Sequence, residues 1–208
     1  MSYQSFTGQS GNLEVDLNFM FRQPLWDIRT PDSHLLGDIQ AKSIPVLDLH
    51  ELAAGKLAAL LARGQARDLF DCQRLLNLDD LERDQLRIAF VVCGGMNRKD
   101  WRTVSTEDVD FDAAELARQL IPTLHVRAIQ EQGSPAKYGA QLVEKCRKAL
   151  SIVLPFNDAE LEFLDLLLDE GEIDSTILTA DTALQERIQG QPLLEWKALN
   201  VRRHKGRS

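Results

Sequence analysis

Residues 47–76, LDLHELAAGKLAALLARGQARDLFDCQRLL, decide how the chain is read. Asp48 followed three residues later by Glu51 has the spacing of a capping box, and it opens a helical pattern that runs to about Arg63. Gly64 is placed to end that helix. A second helix is expected from Ala66 to about Leu76, with Leu69, Cys72, Gln73 and Leu76 on one face. Lys56, Arg63 and Arg67 follow one another at spacings of seven and four, so on a continuous helix they fall in one narrow stripe. Cations among Leu57, Ala58, Leu60 and Leu61 are costly to bury unless they meet anions, either carboxylates or phosphates. Asp68 and Asp71, about one turn apart, are the nearest carboxylates in sequence. By periodicity alone the pattern also fits a solvated helix face with ion pairs along it.

Upstream, LEVDLNFMFR at 13–22 alternates, with Leu13, Val15, Leu17, Phe19 and Phe21 on one side and Glu14, Asp16, Asn18, Met20 and Arg22 on the other. This predicts a half-buried strand that Pro24 ends, and Ser43–Leu47 could add one short strand. Downstream, helices fit residues 79–92, 111–120, 139–150, 158–169, 180–188 and 193–202, with loops at 93–101 and 131–137. The expected fold class is α+β: mainly helical, with a small N-terminal strand piece followed by a helical domain.

Composition sets the class. The chain has 208 residues, 44% hydrophobic and 27% charged, enough for a core built mainly from aliphatic side chains. A net charge of −8 argues against a broad nucleic-acid footprint, which needs excess Lys and Arg. The basic tail, with Lys197, Arg202, Arg203, Lys205 and Arg207, leaves room for a local one. Trp196 beside that tail is either a packing anchor or a platform for a base. Cys72, Cys93 and Cys146 lack metal or pairing spacing and read as reduced structural thiols. His34, His50, His125 and His204 are scattered and form no metal or triad pattern. No apolar run of about 18 residues and no secretory leader is present, so no membrane partner is expected and the cytoplasm is the expected location.

The 47–76 segment resembles the signature of the AbiEii/AbiGii nucleotidyltransferase toxins: a Lys, an Ala-Leu-rich helix, an Arg, then Arg-Asp and a further Asp. LEVDLNFMFRQPLW at 13–26 is similar to that family's strand bearing a lone carboxylate, here Asp16, with Asn18 and Arg22 after it. The end of the chain, residues 155–205, resembles the family's helical C-terminal part. The resemblance implies a toxin of a toxin–antitoxin or phage-defence pair that transfers a nucleotide from a nucleoside triphosphate to an acceptor such as tRNA. It implies Mg2+ as cofactor, a cognate antitoxin as partner, and a remnant of the nucleotidyltransferase sheet at the N-terminus. Residues 1–76 then form the later part of the catalytic domain and 77–208 a helical domain. Lys56, Asp68 and Asp71 take catalytic positions, Arg63, Arg67 and Arg22 phosphate-binding ones, and Asp16 a metal-ligand position.

The family's GS…DxD motif has no counterpart in this sequence: Gln9, Ser10 and Gly11 do not form it, and VDFD at 109–112 comes too late in the chain. Asp112 is read instead as the cap of a helix near Ala113. The expectation is therefore a chain lacking the family's front segment and weak in catalysis as it stands. The alternative is a non-catalytic helical module that binds a partner protein or RNA.

Overall fold

A computed structural model describes residues 2–4, 10–12, 23–75, 80–124 and 134–206. The elements are β1 (Ser2–Gln4), β2 (Ser10–Asn12), α1 (Leu49–Arg63), α2 (Ala66–Leu75), α3 (Arg83–Gly95), α4 (Ala113–Glu115), α5 (Pro135–Leu150), α6 (Asp158–Asp165), α7 (Thr182–Gln189) and α8 (Pro192–His204). The molecule is mainly helical. β1 and β2 pair antiparallel, Tyr3 opposite Gly11, upstream of where the sequence pattern placed the strand. The expected strand at 13–22, with Asp16 and Arg22, lies outside the described residues.

The core is organised around α3. From Leu86 to Gly95 every side chain but that of Ile88 is buried, because the sequence LRIAFVVCGG leaves no polar stripe to face water. α1 packs on α3 through a face that includes Ala53, Ala54, Leu57, Leu60 and Leu61, so the helices on either side of residue 76 share one core. Gly94 is required here: a Cβ would stand 1.9 Å from the indole of the fully buried Trp101.

Arg87 is the one cation inside this apolar helix, and burial obliges it to be neutralised. Its Nε donates to Glu160 Oε1 at 2.7 Å and its Nη2 to Glu160 Oε2. Nη1 donates to the carbonyl of Ile152 at 3.0 Å, and Nη2 also to that of Pro155 at 2.9 Å. Glu160 also accepts from the Asn157 N–H at 2.8 Å while Asn157 caps α6, so one carboxylate starts α6 and holds it on α3.

Asp48 plays the corresponding part for α1. It is the N-cap, accepting from the His50 N–H at 2.9 Å. Its carboxylate also meets His50 Nδ1 at 2.6 Å and Arg29 Nη2 at 3.1 Å. His50 Nε2 accepts the Glu82 N–H at 2.8 Å, so the ring hydrogen sits on Nδ1 and donates to Asp48. Glu51, expected to complete a capping box, accepts from the N–H groups of Leu25 at 3.0 Å and Trp26 at 3.3 Å, tying the incoming chain to α1. Between Leu25 and α1 the chain makes a narrow excursion pinned by reciprocal Arg29–Val46 hydrogen bonds of 3.0 and 2.8 Å. The expected Ser43–Leu47 strand is only this isolated bridge.

Several boundaries move for local reasons. α3 begins at Arg83, four residues later than the pattern indicated. α5 begins at Pro135, inside the predicted 131–137 loop, because Ser134 caps it and Pro135 takes the first turn, where no N–H is needed. Asp112 caps α4, accepting from Ala114 N at 2.7 Å and Glu115 N at 2.8 Å. α4 and α6 each run on into a wider turn, Leu116–Leu120 and Leu166–Glu170.

Two stability predictions follow. Glu160→Ala leaves Arg87 buried without its counter-charge and is expected to lower unfolding free energy by about 3–5 kcal/mol, measured by urea denaturation. For Asp48, burial opposes ionisation, but the His50 N–H, the His50 ring and Arg29 outweigh it and hold the carboxyl below the usual range. A carboxyl lowered on folding contributes stability above its unfolded value of about 3.9, and that contribution is lost as pH falls through the folded value. Asp48→Asn should therefore be less stable than the parent at pH 7, with the gap closing in acid unfolding curves below about pH 4.

Candidate functional site

α1 and α2 form an antiparallel hairpin whose turn depends on Gly64. Its left-handed backbone, φ 61°, lets its N–H donate back to the Leu60 carbonyl at 2.8 Å. The chain re-enters a helix at Ala66, so residues of α1 face those of α2 in reverse order. Two ion pairs connect them: Lys56 with Asp71, and nearer the turn Arg63 with Asp68. The pairs run between helices, not along one helix face.

The two differ in kind. Asp68 is buried, its side chain 1% exposed, and Arg63 covers it with two parallel hydrogen bonds, Nε to Oδ2 at 2.7 Å and Nη2 to Oδ1 at 2.9 Å. The Asp68 hydrogen bond raises the Arg63 guanidinium above its ordinary value, against the effect of its own partial burial. Arg63 thus has two of its donors committed inside the fold. Lys56 Nζ meets Asp71 Oδ2 at 2.8 Å with side chains 47% and 38% exposed, a pair in reach of solvent that contributes little to stability. Arg67, third in the sequence stripe, is exposed and bonds Gln65 Oε1 at 3.1 Å. The structure thus brings together Lys56 with Asp71 and Arg63 with Asp68, and sets Arg67 on the outside of the turn.

A family model described as nucleotidyl transferase AbiEii toxin, type IV toxin–antitoxin system, matches residues 1–134. The chain belongs to the AbiEii family. Comparison with curated proteins and with solved structures gave no match. The matched span contains α1 to α4 and the whole Lys56–Asp71 hairpin. The similarity expected for residues 155–205 lies beyond it. Membership of this family points to a nucleotidyltransferase toxin of a type IV system, and with it to a nucleoside triphosphate substrate and a cognate antitoxin. No helix among the described residues is long and apolar enough to cross a membrane.

AbiEii membership also implies a divalent metal. Among the described residues no group of three or more His, Cys, Asp or Glu is arranged to hold one. Asp112 serves as a helix cap, and Asp110 accepts the Phe111 N–H at 2.8 Å. The described residues therefore do not fit a magnesium site. Asp16, the candidate ligand, and Arg22, a candidate phosphate contact, fall outside them. Asp48 is the helix cap its spacing predicts and His50 a buried structural histidine, while the His50–Glu82 hydrogen bond, between residues so distant in sequence, leaves no periodic trace.

The contrast between the two ion pairs is measurable. Arg63→Ala uncovers a buried carboxylate and is expected to lower stability by about 1–2 kcal/mol, whereas Lys56→Ala should change it by less than about 0.5 kcal/mol. Thermal melts of both variants beside the parent would show it.

Proposed function

We propose that the protein attaches a nucleotide from a nucleoside triphosphate to a nucleic-acid acceptor such as tRNA, with Lys56 on the triphosphate and Asp71 holding the Lys56 side chain in place. The observation that carries this reading is the exposed Lys56–Asp71 pair, within the span that matches the AbiEii model. An ammonium held by one solvent-reachable carboxylate exchanges that partner for a phosphate oxygen at little cost. During transfer the acceptor hydroxyl gives up its proton to solvent as its oxygen bonds to the α-phosphorus, the bond from that phosphorus to the bridging oxygen breaks, and pyrophosphate leaves. A cation beside the leaving phosphates stabilises the charge that builds there.

Arg63 and Asp68 act as positioning residues on this reading. Their buried fork fixes the spacing of α1 and α2 and so sets Lys56 opposite Asp71. Arg67, on the outside of the turn, is available to a phosphate or to the acceptor backbone. The assignments of Asp16 to magnesium and Arg22 to phosphate rest on the family resemblance alone, as do a nucleotidyltransferase-sheet remnant and a division into a catalytic part, 1–76, and a helical part, 77–208. The cytoplasm, where triphosphates and tRNA are available, is the proposed location.

A second reading is favoured by one specific observation: the GS…DxD pattern does not occur in these 208 residues. On that reading the hairpin serves a non-catalytic module for a partner protein or RNA, and the chain assayed by itself transfers little or nothing.

The test is triphosphate binding by calorimetry, with and without magnesium, on the parent, Lys56→Ala and Asp71→Asn. The transferase reading expects saturable binding that magnesium strengthens and that Lys56→Ala weakens about tenfold, with an unchanged melting temperature. Binding indifferent to magnesium favours the module. Binding indifferent to Lys56 removes the residue from the site.

A further inference from the structure

Away from the α1–α2 hairpin, a groove of about 490 Å³ runs between the turn after α3 and the exposed side of α8. Trp196 stands at its edge with 59% of its surface exposed, unlike the fully buried Trp101. Met96 and Leu168 are among its apolar lining residues, and Arg98, Lys197, His204 and Lys205 line it too, with no acidic residue among the lining set. In a protein of net charge −8 this is a local reversal of sign. Lys197 is held in place by a 2.7 Å hydrogen bond from Nζ to the Asn97 carbonyl. Burial pushes its ammonium below the ordinary lysine range, against the pull of Asp100, so an arriving anion strengthens its charged form. Lys205 pairs with Glu170 at 3.2 Å, both more than a third exposed, a contact easily exchanged for a phosphate.

We propose that this groove binds unpaired nucleotides of a single-stranded nucleic acid, a base stacking on Trp196 and adjoining phosphates meeting Arg98, Lys197, His204 and Lys205. The combination selects this occupant. A flat exposed indole accepts the face of any base, and a row of cations tracks the backbone beside it. An apolar protein partner makes no use of the cations, and a duplex hides the base faces that the indole offers to stack. The proposal does not depend on the transferase reading, since the groove lies on α8 and the turn after α3, while Lys56 and Asp71 lie on α1 and α2.

The test titrates the whole chain into a fluorescein-labelled single-stranded RNA at low salt and follows anisotropy. Saturable binding is expected, weakening steeply as salt rises. Trp196→Ala should weaken it about tenfold, Trp196→Phe much less, and the double variant Arg98→Glu, Lys205→Glu should abolish it. A duplex of the same length should bind about tenfold more weakly. Lys56→Ala should leave RNA affinity within about twofold, whatever it does to triphosphate binding. Equal affinity of the Trp196→Ala variant, with an unchanged melting temperature, overturns the proposal. So does displacement of the RNA by an acidic peptide as readily as by unlabelled RNA, or by a mononucleotide at the same concentration of nucleotide units.

Discussion

Arg87 sits inside a helix that is otherwise sealed from water, and the surrounding molecule is built to meet its charge. α3 needs cover on nearly all sides, which brings α1 across it and α6 against its flank. A guanidinium in that setting is tolerable only where fixed acceptors meet its donors. Glu160 supplies two acceptors, and the carbonyls of Ile152 and Pro155 supply the others. The C-terminal half is therefore joined to α3 by an interaction with strict geometry as well as by apolar packing. An aliphatic pair in the same place would hold the halves together with less control over how α6 enters.

The candidate site inherits its order from that arrangement. With α1 fixed on α3 and capped by Asp48, the hairpin has one free variable, the placement of α2 against α1. Packing of α2 on α5 and burial of Asp68 under Arg63 together set it. The exposed pair beyond, Lys56 with Asp71, then needs no stabilising role and is left to exchange partners. The segment thus divides its four charged residues between a buried pair that sets the packing of two helices and a pair left within reach of solvent.

Much of this was legible in the sequence because it is local. Asp48 at a cap, Gly64 at a C-terminus and the apolar faces of α1 and α2 each follow from residues within a turn or two of one another. The order Lys56, Arg63, Arg67, Asp68, Asp71 marked the hairpin. It did not say which acid would meet which base, because that depends on the phase of two helices around a turn. Arg87 with Glu160, Glu51 with Leu25 and Trp26, and His50 with Glu82 were beyond reach, each joining residues tens of positions apart. Ser134 and Pro135 sit in a Gly-Ser-Pro stretch with the composition of a loop, yet they form a cap and a first turn. The strand at 13–22 stays an expectation from alternation alone.

The two-residue link between α1 and α2 carries a further implication for how the family's chains can vary. Successive residues on a helix are rotated by about 100°, so one extra residue between Arg63 and Ala66 would turn all of α2 by that angle. Neither helix would lose its own hydrogen bonds, yet Asp71 would leave Lys56 and Asp68 would swing out from under Arg63. Length at this point is thus constrained along with the glycine itself, an unusual condition for a surface turn. Related chains that keep the charged residues but change the count between them would have to build the site in another way.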